Sequence, residues 1–131
     1  MNGFLVMFDW DCKRYSALRG ELRRIGYPCQ CVKDLCALRR GCPGEEPGLI
    51  LVDFDYLSNA TDVLACLRRR LPLVKVIGIS SKHFHPELRD AFRDQIFACV
   101  QKPLNFQEVE FLVRSFFQDM LERETHQQTQ A

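Results

Sequence analysis

Residues 49–57 read LILVDFDYL, an apolar stretch from Leu49 to Val52 that runs straight into Asp53-Phe54-Asp55. Continuous apolarity over so short a span marks a strand covered on both faces, since a strand with one wet face alternates instead. An ionised carboxylate inside such a strand would forfeit its hydration, at a cost of several kcal/mol or more unless something compensates. Asp53 is therefore expected where the buried strand meets water, or where a cation meets the carboxylate.

Similar segments lie on both sides. FLVMF at 4–8 is wholly apolar, CQCV at 29–32 is a weaker strand, and LVKVIGIS at 73–80 and IFACV at 96–100 complete a set of five. Between them the apolar period changes to three and four. Tyr15, Leu18, Leu22 and Ile25 stripe a helix stopped by Gly26, with Pro28 beyond. Leu35 and Leu38 support a short second helix ended by Gly41, and the loop GCPGEEPG follows. Leu64, Leu67 and Leu71 stripe a third helix that stops before Pro72. Its Arg68-Arg69-Arg70 run reads as a solvated last turn, where cations suit the helix dipole. Residues 87–94 form a fourth helix with Pro86 near its first turn. Val109, Leu112, Val113, Phe116 and Met120 stripe a long last helix over 107–122. Five such βα units predict an α/β fold, a doubly wound parallel sheet with helices on both faces. The expected domain covers 1–122; the polar tail 123–131 has no apolar anchor and is expected to fray.

At 131 residues the chain has the length of one domain with a substantial core. Its net charge of +1 exerts no general pull towards nucleic acid or membrane. No apolar run approaches the length of a bilayer span. The opening MNGFLVMFDWD has no basic leader, so no secretory signal is expected and the cytoplasm is the expected location. Seven cysteines are an odd number, which with no signal argues against a disulfide framework. Cys29, Cys31, Cys36 and Cys42 lack paired C-x2-C spacing, so small buried thiols are preferred to a zinc site. Cys99 is read the same way, and His83 and His85 as exposed loop residues.

Function in such sheets gathers at the carboxyl ends of the strands. Those ends are Asp9-Trp10-Asp11, Asp53-Phe54-Asp55, Ser80-Ser81-Lys82 and Gln101-Lys102-Pro103. Carboxylates about 4 Å apart repel by roughly 4 kcal/mol at an effective dielectric near 20. A cluster of Asp9 or Asp11 with Asp53 thus needs neutralising, by Lys102 and by a divalent ion. Oxygen-only ligands favour Mg²⁺ over zinc. A carboxylate beside those charges is set up to attack phosphorus and form an acyl phosphate, with Ser80 hydrogen-bonding a phosphoryl oxygen.

Taken in order, FLVMFDWD, LILVDFD, VIGISS and QKPL make the chain, over residues 3 to about 121, resemble a response-regulator receiver domain of two-component signalling. The resemblance implies the flavodoxin-like strand order 2-1-3-4-5. It implies that Asp53 accepts a phosphoryl group from a sensor histidine kinase and that Ser80 and Lys102 bind it, with the Lys102-Pro103 peptide cis. Mg²⁺ would be held by Asp9, Asp11, Asp53 and the backbone carbonyl of Asp55. It further implies a switching surface formed by helix 4, strand 5 and helix 5, also the usual dimer face, and an effector domain or separate partner, by family frequency a transcription regulator.

Three departures favour an alternative, a pseudo-receiver acting as a phosphorylation-independent interaction module. Trp10 separates Asp9 from Asp11, no Pro or Gly follows Asp53, and Cys99 stands at the usual aromatic position. A flavin- or nucleotide-binding relative fits less well, because DWDCKRYS puts acids where a phosphate loop would lie.

Overall fold

A computed structural model of the chain describes residues 4–8, 13–33, 47–57, 60–82 and 95–130. The strands are β1 (Phe4–Phe8), β2 (Cys29–Val32), β3 (Pro47–Asp53), β4 (Lys75–Ser80) and β5 (Ile96–Gln101). They form one parallel sheet in the order β2-β1-β3-β4-β5. The helices described are α1 (Ser16–Arg24), α2 (Ala60–Arg70) and α3 (Phe106–Gln130), with a single 3₁₀ turn at Phe54–Tyr56. The short helix expected at Leu35 and Leu38, the helix expected at 87–94, and His83 and His85 lie outside the described residues.

Alternation along each strand builds two cores, because successive side chains leave opposite faces of a sheet. Leu5, Met7, Leu49, Leu51, Ile77 and Ile79 meet Leu18 and Leu22 of α1 and Val109, Val113 and Phe116 of α3. Val6, Ile50, Val52 and Val76 face the other way, against Leu64 and Leu67 of α2. Both faces are covered, which explains the near-absence of polar residues in β3.

Several boundaries differ from the sequence reading. β3 begins at Pro47, inside the expected Gly/Pro loop, and Gly48 is absorbed where the β1–β3 register shifts between Phe4 and Leu5. A proline is compatible with a strand's first residue because its missing N–H costs little there. β4 starts at Lys75 and not Leu73: Pro72 and Leu73 form a turn closed by Val74 N–H to Leu71 C=O at 3.1 Å, leaving Leu73 83% exposed. α1 stops as expected, with Gly26 taking φ 97°, where a side chain would be strained. Asn105 starts α3, its side-chain oxygen accepting the N–H of Gln107 at 2.9 Å and of Glu108 at 3.3 Å. α3 continues to Gln130, through the polar stretch expected to fray. That stretch holds Arg123, Glu124 and three glutamines and lacks Gly and Pro, so intrinsic propensity does not oppose the helix.

Two cysteine expectations need correcting. Cys31 is disulfide-bonded and not a free thiol. Cys99 lies exposed on β5 and not in the core, because odd positions of that edge strand carry surface residues such as Phe97 and Gln101. Arg68, Arg69 and Arg70 are exposed in the last turn of α2, as expected. Among the described residues, no helix is long and apolar enough to cross a membrane.

Candidate functional site at the carboxyl rim of the sheet

Adjacent strand ends bring three of the predicted residues together. Asp53 closes β3 and pairs in register with Ile79, one residue before Ser80. Ser80 closes β4 opposite Gln101, and the Lys102 N–H donates to the Ser80 carbonyl at 2.8 Å. The Lys102-Pro103 peptide is cis, as the resemblance implied.

Asp53 is the acid the sequence left unexplained. Its side chain is 2% exposed, and Lys102 Nζ lies 3.0 Å from Oδ2. The Tyr15 hydroxyl also donates to Oδ2, and the Asp55 N–H donates to Oδ1 at 3.0 Å. A cation, a phenol and an amide thus replace the water this carboxylate gives up.

Lys102 is shared. Its ammonium also lies 3.0 Å from Asp55 Oδ2. Burial pulls the Lys102 pKa down, but the hydrogen bonds and charges of Asp53 and Asp55 outweigh that and raise it above its ordinary value. Burial pushes Asp55 up, but Lys102 and Ser81 outweigh it and hold that carboxyl below its ordinary value. Asp55 also accepts the Ser81 N–H at 2.9 Å on Oδ2 and the Ser80 hydroxyl at 3.3 Å on Oδ1. The Ser80 oxygen in turn accepts the Lys82 N–H at 3.0 Å, which fixes the hydroxyl's orientation.

Phe54 anchors the turn that carries both acids. It is buried on the α2 face, over Gly78 of β4, where a β-carbon would overlap its ring. Tyr56, 48% exposed, carries the Arg14 guanidinium carbon 3.5 Å from its ring centroid and Lys102 Nζ at 4.7 Å.

The sequence reading placed Asp53, Ser80 and Lys102 at one rim, and they meet there. Asp9, Trp10 and Asp11 lie outside the described residues. Tyr15, a helix-stripe residue by its spacing, reaches the site with its hydroxyl, and Asp55, for which the resemblance implies a role of the backbone carbonyl, turns its side chain into the site. Among the described residues, no group of three or more His, Cys, Asp or Glu is gathered to hold a metal ion.

No protein-family model matches the chain, and no curated protein does. Solved structures do. A response regulator from Thermotoga maritima superposes with a TM-score of 0.71 at 16% identity, over 90% of this chain and 99% of that one. The receiver domain of nitrogen regulatory protein C gives 0.71 at 19%, over 89% and 95%. An adenylate cyclase structure from Rhodopirellula baltica gives 0.72 at 15%, over the full length of both chains. Strand order, helix placement and these superpositions agree: the chain has the flavodoxin-like fold of a response-regulator receiver domain.

Proposed function

We propose that this chain is a response-regulator receiver in which Asp53 takes a phosphoryl group from a sensor histidine kinase and thereby controls an effector. The observation that carries the reading is the buried Asp53 carboxylate, 3.0 Å from Lys102 Nζ at the carboxyl rim of a receiver-like sheet. In the transfer, an Asp53 oxygen attacks phosphorus and the phosphorus–nitrogen bond of the donor phosphohistidine breaks. The imidazole leaves with that electron pair and takes a proton from solvent, and an acyl phosphate remains on Asp53. Lys102 and the Ser80 hydroxyl meet the charge on the non-bridging oxygens. The chain is then a signalling domain that acts once per phosphoryl group, and not a turnover enzyme.

The acceptors described at the rim, the Asp53 and Asp55 carboxylates and the Ser80 hydroxyl, are oxygens, which suits Mg²⁺. Asp53 and the Asp55 backbone carbonyl would hold it with Asp9 and Asp11, and when bound it would neutralise charge on the phosphoryl oxygens.

A second reading, a phosphorylation-independent interaction module, is favoured by one feature: Asp53 and Asp55 already share the Lys102 ammonium. Treatment with acetyl phosphate, with and without Mg²⁺, read by intact mass, separates the two. The receiver gains one phosphoryl group in the presence of Mg²⁺, and Asp53→Asn gains none. Labelling that survives Asp53→Asn removes Asp53 from the role, and no labelling of the natural chain favours the module.

A further inference from the structure

Three donors converge beside Asp53, and all three are already engaged. The Ser81 N–H and the Lys102 ammonium point at Asp55 Oδ2, at 2.9 and 3.0 Å, and the Ser80 hydroxyl points at Oδ1, at 3.3 Å. One backbone amide, one hydroxyl and one ammonium grouped around the two oxygens of a single anion are what a tetrahedral oxyanion also requires. Here a planar carboxylate from the same chain fills that requirement. The placement follows from the 3₁₀ turn: the Asp53 side chain accepts the Asp55 N–H, which tightens Phe54–Tyr56 and aims Asp55 back over the end of β4. Phe54, pinned against Gly78, holds the turn there.

We infer that the Asp55 carboxylate is a resident anion in the oxyanion slot of this site, and that it must leave before a phosphoryl group or any other tetrahedral oxyanion can enter. The slot is then governed by competition within the chain. An incoming anion binds only the fraction of molecules in which Asp55 has swung out, so its apparent affinity is reduced by that fraction. With Asp55 seated, the donors are satisfied as an anion would satisfy them, without phosphorylation. The inference rests on the proposed function for the identity of the physiological anion, but not for the occupancy of the slot.

The test uses inorganic phosphate as the probe, followed by the Ser81 amide resonance in ¹H–¹⁵N spectra. It is run on Asp53→Asn protein, so that no acyl phosphate can form, with Asp55 intact or changed to Asn or, as a second variant, to Ser. Displacing a seated carboxylate predicts that phosphate binds about tenfold or more tightly once residue 55 is uncharged. The gain persists at roughly 0.5 M salt, where long-range repulsion from a lost charge is screened. Affinity within about twofold across the variants, a gain that vanishes in high salt, or no phosphate binding in any of them overturns the inference. Failure of the proposed function looks different: acetyl phosphate then leaves Asp53 unlabelled even in Asp55→Asn, while the phosphate titration still responds to residue 55.

Discussion

Tyr15 and Asp53 stand 38 residues apart in the chain, yet the phenol hydroxyl donates to Oδ2 of the buried carboxylate, the oxygen that also faces Lys102. Tyr15 belongs to the core shared by α1 and α3, and Asp53 continues the Leu49, Leu51 series that points into it. The hydroxyl therefore approaches the acid from inside the protein and Lys102 from the rim.

Removing that hydroxyl leaves a carboxylate oxygen short of one donor in a place water reaches poorly. Tyr15→Phe is expected to cost about 1.5–3 kcal/mol in urea unfolding at neutral pH, the usual worth of a hydrogen bond to a charged group. In Asp53→Asn, whose residue 53 is neutral, the same substitution should cost about half as much or less. Equal losses in the two backgrounds would show that the hydroxyl serves packing alone.

The ion pair of Lys102 with Asp55 fixes a pH window. Asp55 is held below its ordinary value of 3.8, so its contribution is present above that value and is lost as pH falls through the lower folded one. Lys102 is raised above 10.5, so its contribution is complete below that value and is lost as pH rises through the higher folded one. The stability difference between the natural chain and Asp55→Asn should be level from about pH 5 to pH 9 and shrink below about pH 4. Denaturant midpoints of the two proteins from pH 3 to 8 check this; a difference that grows on acidification contradicts it.

Gly78 is the contact point for Phe54. A methyl group there overlaps the ring, so Gly78→Ala is expected to destabilise by about 1–3 kcal/mol, as overpacked cores do. Because Phe54 sits between Asp53 and Asp55, the same change should move the Ser81 amide resonance, whose proton reaches Asp55. Adding Phe54→Leu should recover part of the stability by giving the methyl room. No recovery in the double variant would place the strain elsewhere.

The thiols should separate by environment. Burial, opposed only by the nearby Arg19 charge, pushes Cys29 up to about 12, so almost none of it is thiolate at neutral pH. Cys99 is also raised by desolvation but lies exposed on β5. Iodoacetamide at pH 8, followed by peptide mass spectrometry, should modify Cys99 well before Cys29. The reverse order would mean that the Cys29 strand is not seated as described.

Much of this site was legible in the sequence because strand ends announce themselves. Apolar runs that stop at Asp53, Ser80 and Lys102 leave those residues at one rim once the alternation of strands and helices is recognised. Tyr15 was not legible as a site residue. A helical stripe says which face is buried, but the hydroxyl's partner depends on how α1 crosses the end of β3. The role of the Asp55 side chain was hidden for a related reason: its direction is set by a three-residue turn and by Gly78 on another strand. Pro47 and Gly48 misled because both residues usually punctuate loops, whereas here one opens a strand and the other falls at a register shift.

The two-residue alternation of β3 also ties assembly of the site to correct folding. A slip of one position against β4 would turn Asp53 towards Leu64 and Leu67 and set Val52 beside Lys102. That alternative buries a charge among leucines and strands an ammonium without its partner, so it lies far above the native pairing in energy. The acid at the end of an otherwise oily strand thus serves as a proofreader of sheet alignment, whatever chemistry it performs afterwards.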